Sequence, residues 1–148
     1  MTVAWKLIPK RRQGDAFSGG GARLAPGRWN ARGTRAVYLS GSLSLAALEM
    51  LLYAGRAALT IPLAVFRVDI PEGVGVETII LEKLPANWRQ QPPPESTRRL
   101  GTEWIAHGAA VALRVPSVLI PDEWDIILNP AHPDFPKVRI GKPQPFRF

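Results

Sequence analysis

The apolar positions of this chain fall into short runs broken by glycine and proline, a pattern that predicts several brief strands and two helices. Val3–Ile8 (V-A-W-K-L-I) is rich in strand formers and is stopped by Pro9, after which Lys10–Arg12 leaves as a basic turn. Ala36–Leu39 reads as a second strand. Ser40-Gly41-Ser42 then turns the chain into a helix over about Leu43–Tyr53, capped by Ser42 or Ser44 and ended at Gly55. Leu59–Ile70 is extended, with Pro62 marking an edge or bulge near its start, and Val76–Leu81 follows the turn P-E-G-V-G. A second helix, Ser96–His107, has Ser96 or Thr97 as its cap, Gly108 as its stop and Gly101 as its weak point. Ala110–Val115, Val118–Ile120, Ile126–Leu128 and Val138–Ile140 complete a set of short strands punctuated by Pro116, Pro121 and Pro130. Strand and helix do not alternate regularly, so the fold class expected is α+β rather than a doubly wound sheet. At 148 residues the whole chain, 1–148, fits one domain.

Two connections stand out. After Phe17 the run S-G-G-G-A-R-L-A-P-G is too rich in glycine for a regular element; lacking G-K-[ST] and a helix directly after it, it reads as a loop bordering a ligand cleft rather than a phosphate-binding P-loop. Leu84–Glu95 (L-P-A-N-W-R-Q-Q-P-P-P-E) is the most proline-rich stretch and is expected as an extended surface loop.

The first helix is where the pattern turns towards chemistry. Leucine and alanine surround it almost completely, which predicts a helix buried on most sides, and Glu49 shares a face there with Leu45, Ala46, Leu52 and Tyr53. An unpaired carboxylate in such a place is costly, so Glu49 has to meet an arginine, hydrogen-bond donors or an open cleft. Charge isolates it further. Within residues 1–68, ten lysines and arginines stand against two acids, Asp15 and Glu49, a balance of +8; the remainder nets −1. A basic half calls for an anionic ligand or partner. With no cysteine and only two histidines, thiol chemistry, disulfides and a metal site are not expected. No apolar run reaches the length of a membrane span and the first residues lack a signal-peptide core, so the expected location is the cytoplasm, with no membrane partner.

Five separated blocks, G-R-W-N-A-R-G, V-Y-L-S, S-L-A-A-L-E, R-V-P-S and L-N-P-A-H-P, resemble in order and spacing the RES domain, a family named for arginine, glutamate and serine positions. The resemblance covers nearly the whole chain. It implies an ADP-ribosyltransferase-like split β-sheet with a few flanking helices, and a toxin of a bacterial toxin–antitoxin pair that depletes NAD+. NAD+ would be the substrate, with no further cofactor, and the partner a cognate Xre-type helix-turn-helix antitoxin. On that resemblance Arg28 lies at the NAD+ phosphates, Tyr38 stacks near the nicotinamide end, Glu49 is the catalytic carboxylate and Ser117 lines the same cleft. The chain departs from the family at W-D-I-I, where relatives commonly carry asparagine and tyrosine ahead of L-N-P; Asp125 and Ile126 leave the roles at that edge open.

Breaking the bond between nicotinamide and ribose creates an oxocarbenium-like centre, which one carboxylate can stabilise, and nicotinamide leaves neutral without a strong acid. Arginine suits a pyrophosphate through its planar fork, and an aromatic ring holds a flat leaving group. The acceptor leaves no motif: water, phosphate and a protein side chain stay open. So do two other readings, a basic nucleic-acid binder and an interaction module without catalysis in which Glu49 is a structural ion-pair partner of Arg28. Against the nucleic-acid reading, no helix carries a basic stripe, and no direct nucleic-acid contact is expected. The apolar run Leu59–Ile70 fits a dimer interface or ordinary burial equally well.

Overall fold

The computed structural model describes every residue from Met1 to Phe148. Its framework is a mixed sheet of β1 (Thr2–Pro9), β2 (Val37–Ser40), β3 (Leu63–Ile70), β4 (Val76–Thr78), β5 (Ala112–Pro116), β6 (Trp124–Leu128), β7 (Arg139–Ile140) and β8 (Gln144–Phe146). The spatial order is β4-β5-β6-β2-β1-β3-β7, with β8 also on β3. Three helices accompany it: α1 (Gly20–Leu24), α2 (Leu43–Ala54) and α3 (Glu95–His107). All neighbouring strands run antiparallel except β4 and β5, whose parallel pairing is reached by the crossover through α3.

The sheet is nearly divided. β1 is zipped to β3 along its whole length, from Thr2 opposite Ile70 to Pro9 opposite Leu63, and β2 pairs fully with β6, from Val37 opposite Leu128 to Ser40 opposite Asp125. Between β1 and β2 a single registered pair, Trp5 with Ser40, holds the two halves together. Two residues on, where Leu7 would meet Tyr38, the ladder has parted and the Lys6 amine donates across the gap to the Tyr38 carbonyl, 3.2 Å. Burial, and secondarily the Arg12 charge, lowers that amine to about 8. The α+β class and the split sheet expected from the sequence are both present.

One face of the sheet carries the main core, in which Ala4, Val37, Leu39, Val68, Ile70, Ala112, Ile126 and Leu128 pack together. The other face is covered in two patches, one on each side of the split. Leu43, Ala46, Ala47 and Met50 of α2 pack on Trp5, Leu7, Leu63 and Val65, while Leu100, Trp104 and Ile105 of α3 pack with Trp29, Trp88, Leu113, Val115 and Ile127. Between the patches lies the strip of sheet that holds Tyr38, Ser40 and Asp125, all on one face by the alternation of strands.

Several elements differ from expectation for identifiable reasons. Val118–Ile120 is not a strand: the Ser117 hydroxyl accepts from the amides of Leu119 and Ile120, bending the chain into the loop that joins β5 to β6. The glycine-rich run contains α1, entered through Gly19 at φ 74°, a left-handed conformation open to glycine. β3 begins only at Leu63, because Gly55–Leu59 forms a 3-10 turn first. α3 starts one residue earlier than expected, at Glu95, so neither Ser96 nor Thr97 caps it; the Thr97 hydroxyl donates to the Pro94 carbonyl and Ser96 to Asn87. Gln144–Phe146, three residues including a proline, gave no strand signal yet pairs with β3. The largest difference concerns α2. Ser42 caps it as expected, accepting from Leu45 N, but the helix is not enclosed: Leu45 and Ala46 are buried, whereas Leu52 and Tyr53 are 63% and 88% exposed.

Candidate active site

The loop Gly27–Ala31 is irregular, and its backbone groups are satisfied by side chains. Asn30, fully buried, accepts from Gly27 N (2.9 Å) and from the Tyr38 hydroxyl (2.6 Å), and its amide donates to the carbonyls of Ala22 (2.7 Å) and Thr34 (3.1 Å). From the other side, one stripe of α3 clamps the same loop. Arg98 Nε donates to Gly27 O, the Thr102 hydroxyl accepts from Ala31 N, and Gly101 lets the helix lie directly against the Trp29 carbonyl. These positions are spaced i, i+3 and i+4, so they share one helix face.

The loop presents Arg28. Only 9% of the residue is exposed, and its Nη1 donates to the carbonyls of Trp88 and Gln90, 2.8 Å each. Burial is the main reason its pKa lies below the usual arginine value; Tyr38 opposes the shift and the Arg98 charge adds to it. No carboxylate reaches either guanidinium. The ion pairs of the molecule are Met1 with Glu72, Arg67 with Asp69, and Lys137 with Asp134, none of them here. Two neighbouring arginines without a protein anion have the chemistry to receive an anionic group. The structural salt bridge between Arg28 and Glu49, one of the readings left open by the sequence, does not form.

Tyr38 stands at the centre of the strip. Its hydroxyl donates to Asn30 and accepts from Trp29 N at 3.0 Å, which locks the ring in place. Burial holds the phenol well above its ordinary pKa, with opposing effects from the Trp29 amide and the two arginines, so it acts here as a neutral ring and not as a base. Gly27 lies against the hydroxyl so closely that an added Cβ would sit 2.7 Å from it.

At the far end of the strip, Glu49 leans from α2 over β2. Its Oε2 accepts from the Ser40 hydroxyl (3.1 Å) and its Oε1 from the Ser117 hydroxyl (3.2 Å). Ser117 has no exposed surface and lies beneath the carboxylate, its oxygen also taken by the two loop amides. Asp125 pairs with Ser40 in register and comes against Glu49. Burial first, then the charge of Glu49 and a hydrogen bond with it, raises the Asp125 carboxyl to about 9.

The sequence-derived residues therefore occupy one strip, in the order Arg28, Tyr38, Glu49 with Ser117 below it. Arg98, Asn30, Ser40 and Asp125 join them without having been assigned a role from the sequence. An arginine seventy positions from Arg28 on a polar helix gives no local signal; a buried asparagine inside an aromatic loop gives a weak one, since it must satisfy backbone in an irregular segment. His132 is a turn residue, its Nδ1 accepting from Asp134 N. No group of three or more potential metal ligands comes together. A cavity of about 390 Å³ lies at the β3–β8 edge of the sheet between Lys10, Pro62 and Pro145–Arg147, and no carboxylate lines it.

The model of the RES domain matches residues 3–148. Among known proteins, "Toxin Res" of Yersinia enterocolitica is 33% identical over 146 residues, covering 99% of this chain and 95% of that one. "Toxin Res" of Photorhabdus laumondii is 36% identical over 135 residues, 91% and 86% of the two chains, and "Prs ADP-ribosylating toxin" of a Sphingobium species is 30% identical over 145, 95% and 90%. Among solved structures, the crystal structure of the M. tuberculosis MbcT–MbcA toxin–antitoxin complex contains a chain that superposes with a TM-score of 0.75, covering 98% of this chain and 84% of that one at 16% identity, a likeness of fold. A match from the third residue to the last, together with relatives about one-third identical along nearly their full lengths, establishes that the chain belongs to the RES domain family.

Proposed function

We propose that this protein is the toxin of a toxin–antitoxin pair and that it breaks the bond between nicotinamide and ribose in NAD+. The observation that carries the reading is Glu49: a carboxylate held by two hydroxyls, free of any cation, on a strip that begins at two arginines free of any anion. A dinucleotide carries groups to match: a pyrophosphate, a ribose and a cationic ring. Arg28 and Arg98 receive the pyrophosphate, Tyr38 stacks near the nicotinamide end, and Glu49 faces the ribose. As the bond from C1′ to the nicotinamide nitrogen breaks, its electron pair neutralises the ring, and positive charge grows on the ribose, where Glu49 stabilises it and accepts a hydrogen bond from the 2′-hydroxyl. The acceptor oxygen, from water or phosphate, then bonds to C1′ and releases its proton to solvent. The relatives' names support the toxin role, and the neighbouring fold taken from a toxin–antitoxin complex supports a cognate antitoxin, of the Xre type implied by the resemblance, as partner.

Incubating the purified protein with NAD+, with and without phosphate, tests this. Nicotinamide is expected to appear as NAD+ disappears, and Glu49→Gln is expected to remain folded while losing roughly 10²–10³-fold in kcat. Unchanged NAD+ in both buffers, from a folded sample, overturns the reading. A second reading, transfer of ADP-ribose to a protein, is favoured by the Sphingobium relative's name. Labelled NAD+ separates the two: label in free ADP-ribose or its phosphate ester supports breakdown, and label on protein in a cell extract supports transfer.

A further inference from the structure

The hydroxyl protons around Glu49 are few and all are committed. Ser40 spends its proton on Oε2 and Ser117 spends its own on Oε1. Asp125 sits in register beside Ser40 and against the Glu49 carboxyl; the Ser40 hydroxyl also lies within reach of it and favours its charged form, but the one proton there is already directed to Glu49. Its Oδ1 is buried and accepts from no N–H or O–H group. The other elements packed around it offer no compensation. β2 brings Ser40 and the neutral phenol of Tyr38; the turn before β6 brings Glu123, a further negative charge; β5 places Val115 opposite, while Arg114 belongs to the other face and lies over the Trp124 ring, 4.8 Å from its centre. Two carboxylates in contact without a cation between them repel each other, and the buried Asp125 Oδ1 would remain unsatisfied. A single proton on Asp125 removes both difficulties, because it turns an acceptor into a donor.

We propose that Asp125 is a positioning residue that enters this cluster as the carboxylic acid and donates a hydrogen bond to the Glu49 carboxylate, completing the grip begun by Ser40 and Ser117. The inference rests on the proposed function only for its catalytic consequence: a clamped Glu49 carboxylate faces the ribose, and loss of the Asp125 proton brings a second negative charge against it and breaks the clamp. Burial and Glu49 together delay that loss until about pH 9, so turnover is expected to fall on the alkaline side there.

The consequence for folding is independent of any substrate. Asp125 titrates at about 9 in the folded protein against an ordinary 3.8, so between those values the native state holds the extra proton and stability decreases as pH rises. Asp125→Asn keeps an N–H donor that cannot titrate; Asp125→Leu keeps the bulk without a donor. The experiment measures Tm of the three proteins from about pH 4 to about pH 9, and nicotinamide release across the same range and beyond. Relative to Asp125→Asn, the Tm of the wild type is expected to fall progressively over this window. Asp125→Leu is expected to lower kcat at least about tenfold, with Asp125→Asn restoring most of it and removing the alkaline decline. Parallel Tm profiles for wild type and Asp125→Asn overturn the proposal, as does failure of asparagine to outperform leucine in an active enzyme. If the wild type releases no nicotinamide, the proposed function fails while the Tm comparison still decides the state of Asp125.

Discussion

Arg28 has two kinds of partner, and they make separable demands. Its Nη1 holds the carbonyls of Trp88 and Gln90, which fixes the proline-rich loop over the strip, while the rest of the guanidinium has no protein anion to meet. Arg28→Ala is therefore expected both to lower Tm and to raise KM for NAD+. Arg28→Lys recovers little, since an ammonium has no planar fork with which to serve carbonyls and a phosphate together. Arg98→Ala is expected to raise KM about tenfold or more with a smaller change in kcat, because on the proposed reading its charge serves the pyrophosphate, which does not react, and its Nε no longer holds Gly27 O. Steady-state kinetics with parallel melting curves distinguish the two. At this scale charge balance and helix pattern singled out Glu49, and the family resemblance set Arg28 and Tyr38 beside it in the same stretch. Arg98 was illegible, since only the packing of α3 brings it beside Arg28. Asp125 was visible as a departure from pattern, but its contact with Glu49 depends on strand register, and register is set by pairing between distant segments.

α3 shows how one element can be read correctly in type and wrongly in purpose. Gly101 looks like a flaw in a helix. The structure gives it a function: a Cβ at that position would come 1.8 Å from the Trp29 carbonyl oxygen, backbone that cannot swing aside. Gly101→Ala, which raises helix propensity by about 1 kcal/mol, is expected instead to destabilise the fold by more than about 2 kcal/mol and to displace the Arg28 loop. Chemical denaturation measures the first effect and KM for NAD+ the second. α2 is the complementary case. Its caps and extent were legible from Ser42 and Gly55, whereas an apolar surface all round could not reveal that Leu52 and Tyr53 would remain outside. Periodicity reports which faces avoid water in principle; tertiary packing decides which of them do. Val118–Ile120 failed for a local reason, a serine hydroxyl that captures two amides and ends the strand.

For the molecule as a whole, α+β class and a split sheet followed from short strands without alternation and from the family resemblance. The position of the split had no sequence signature. It is an absence of pairing, and a strand beside it looks like any other. The excess of base over acid, a net charge of +7 with three surface ion pairs, leaves the site's arginines unneutralised from within. That arrangement makes the protein incomplete in a specific sense when nothing is bound. Across the parting, one registered pair and the Lys6 amine replace what elsewhere is a full ladder. The strip from Tyr38 to Asp125 belongs to one half of the sheet and Glu49 rides on the helix packed over the other. A dinucleotide engaging both would act as a rivet through a seam. Backbone amides of β1 on the side facing β2 are accordingly expected to exchange with deuterium faster than those facing β3, and to slow when ADP-ribose is added, with β1–β3 exchange little altered. Equal exchange on both edges of β1 would mean that the seam is already closed in the empty protein, and that the substrate finds its groove finished instead of finishing it.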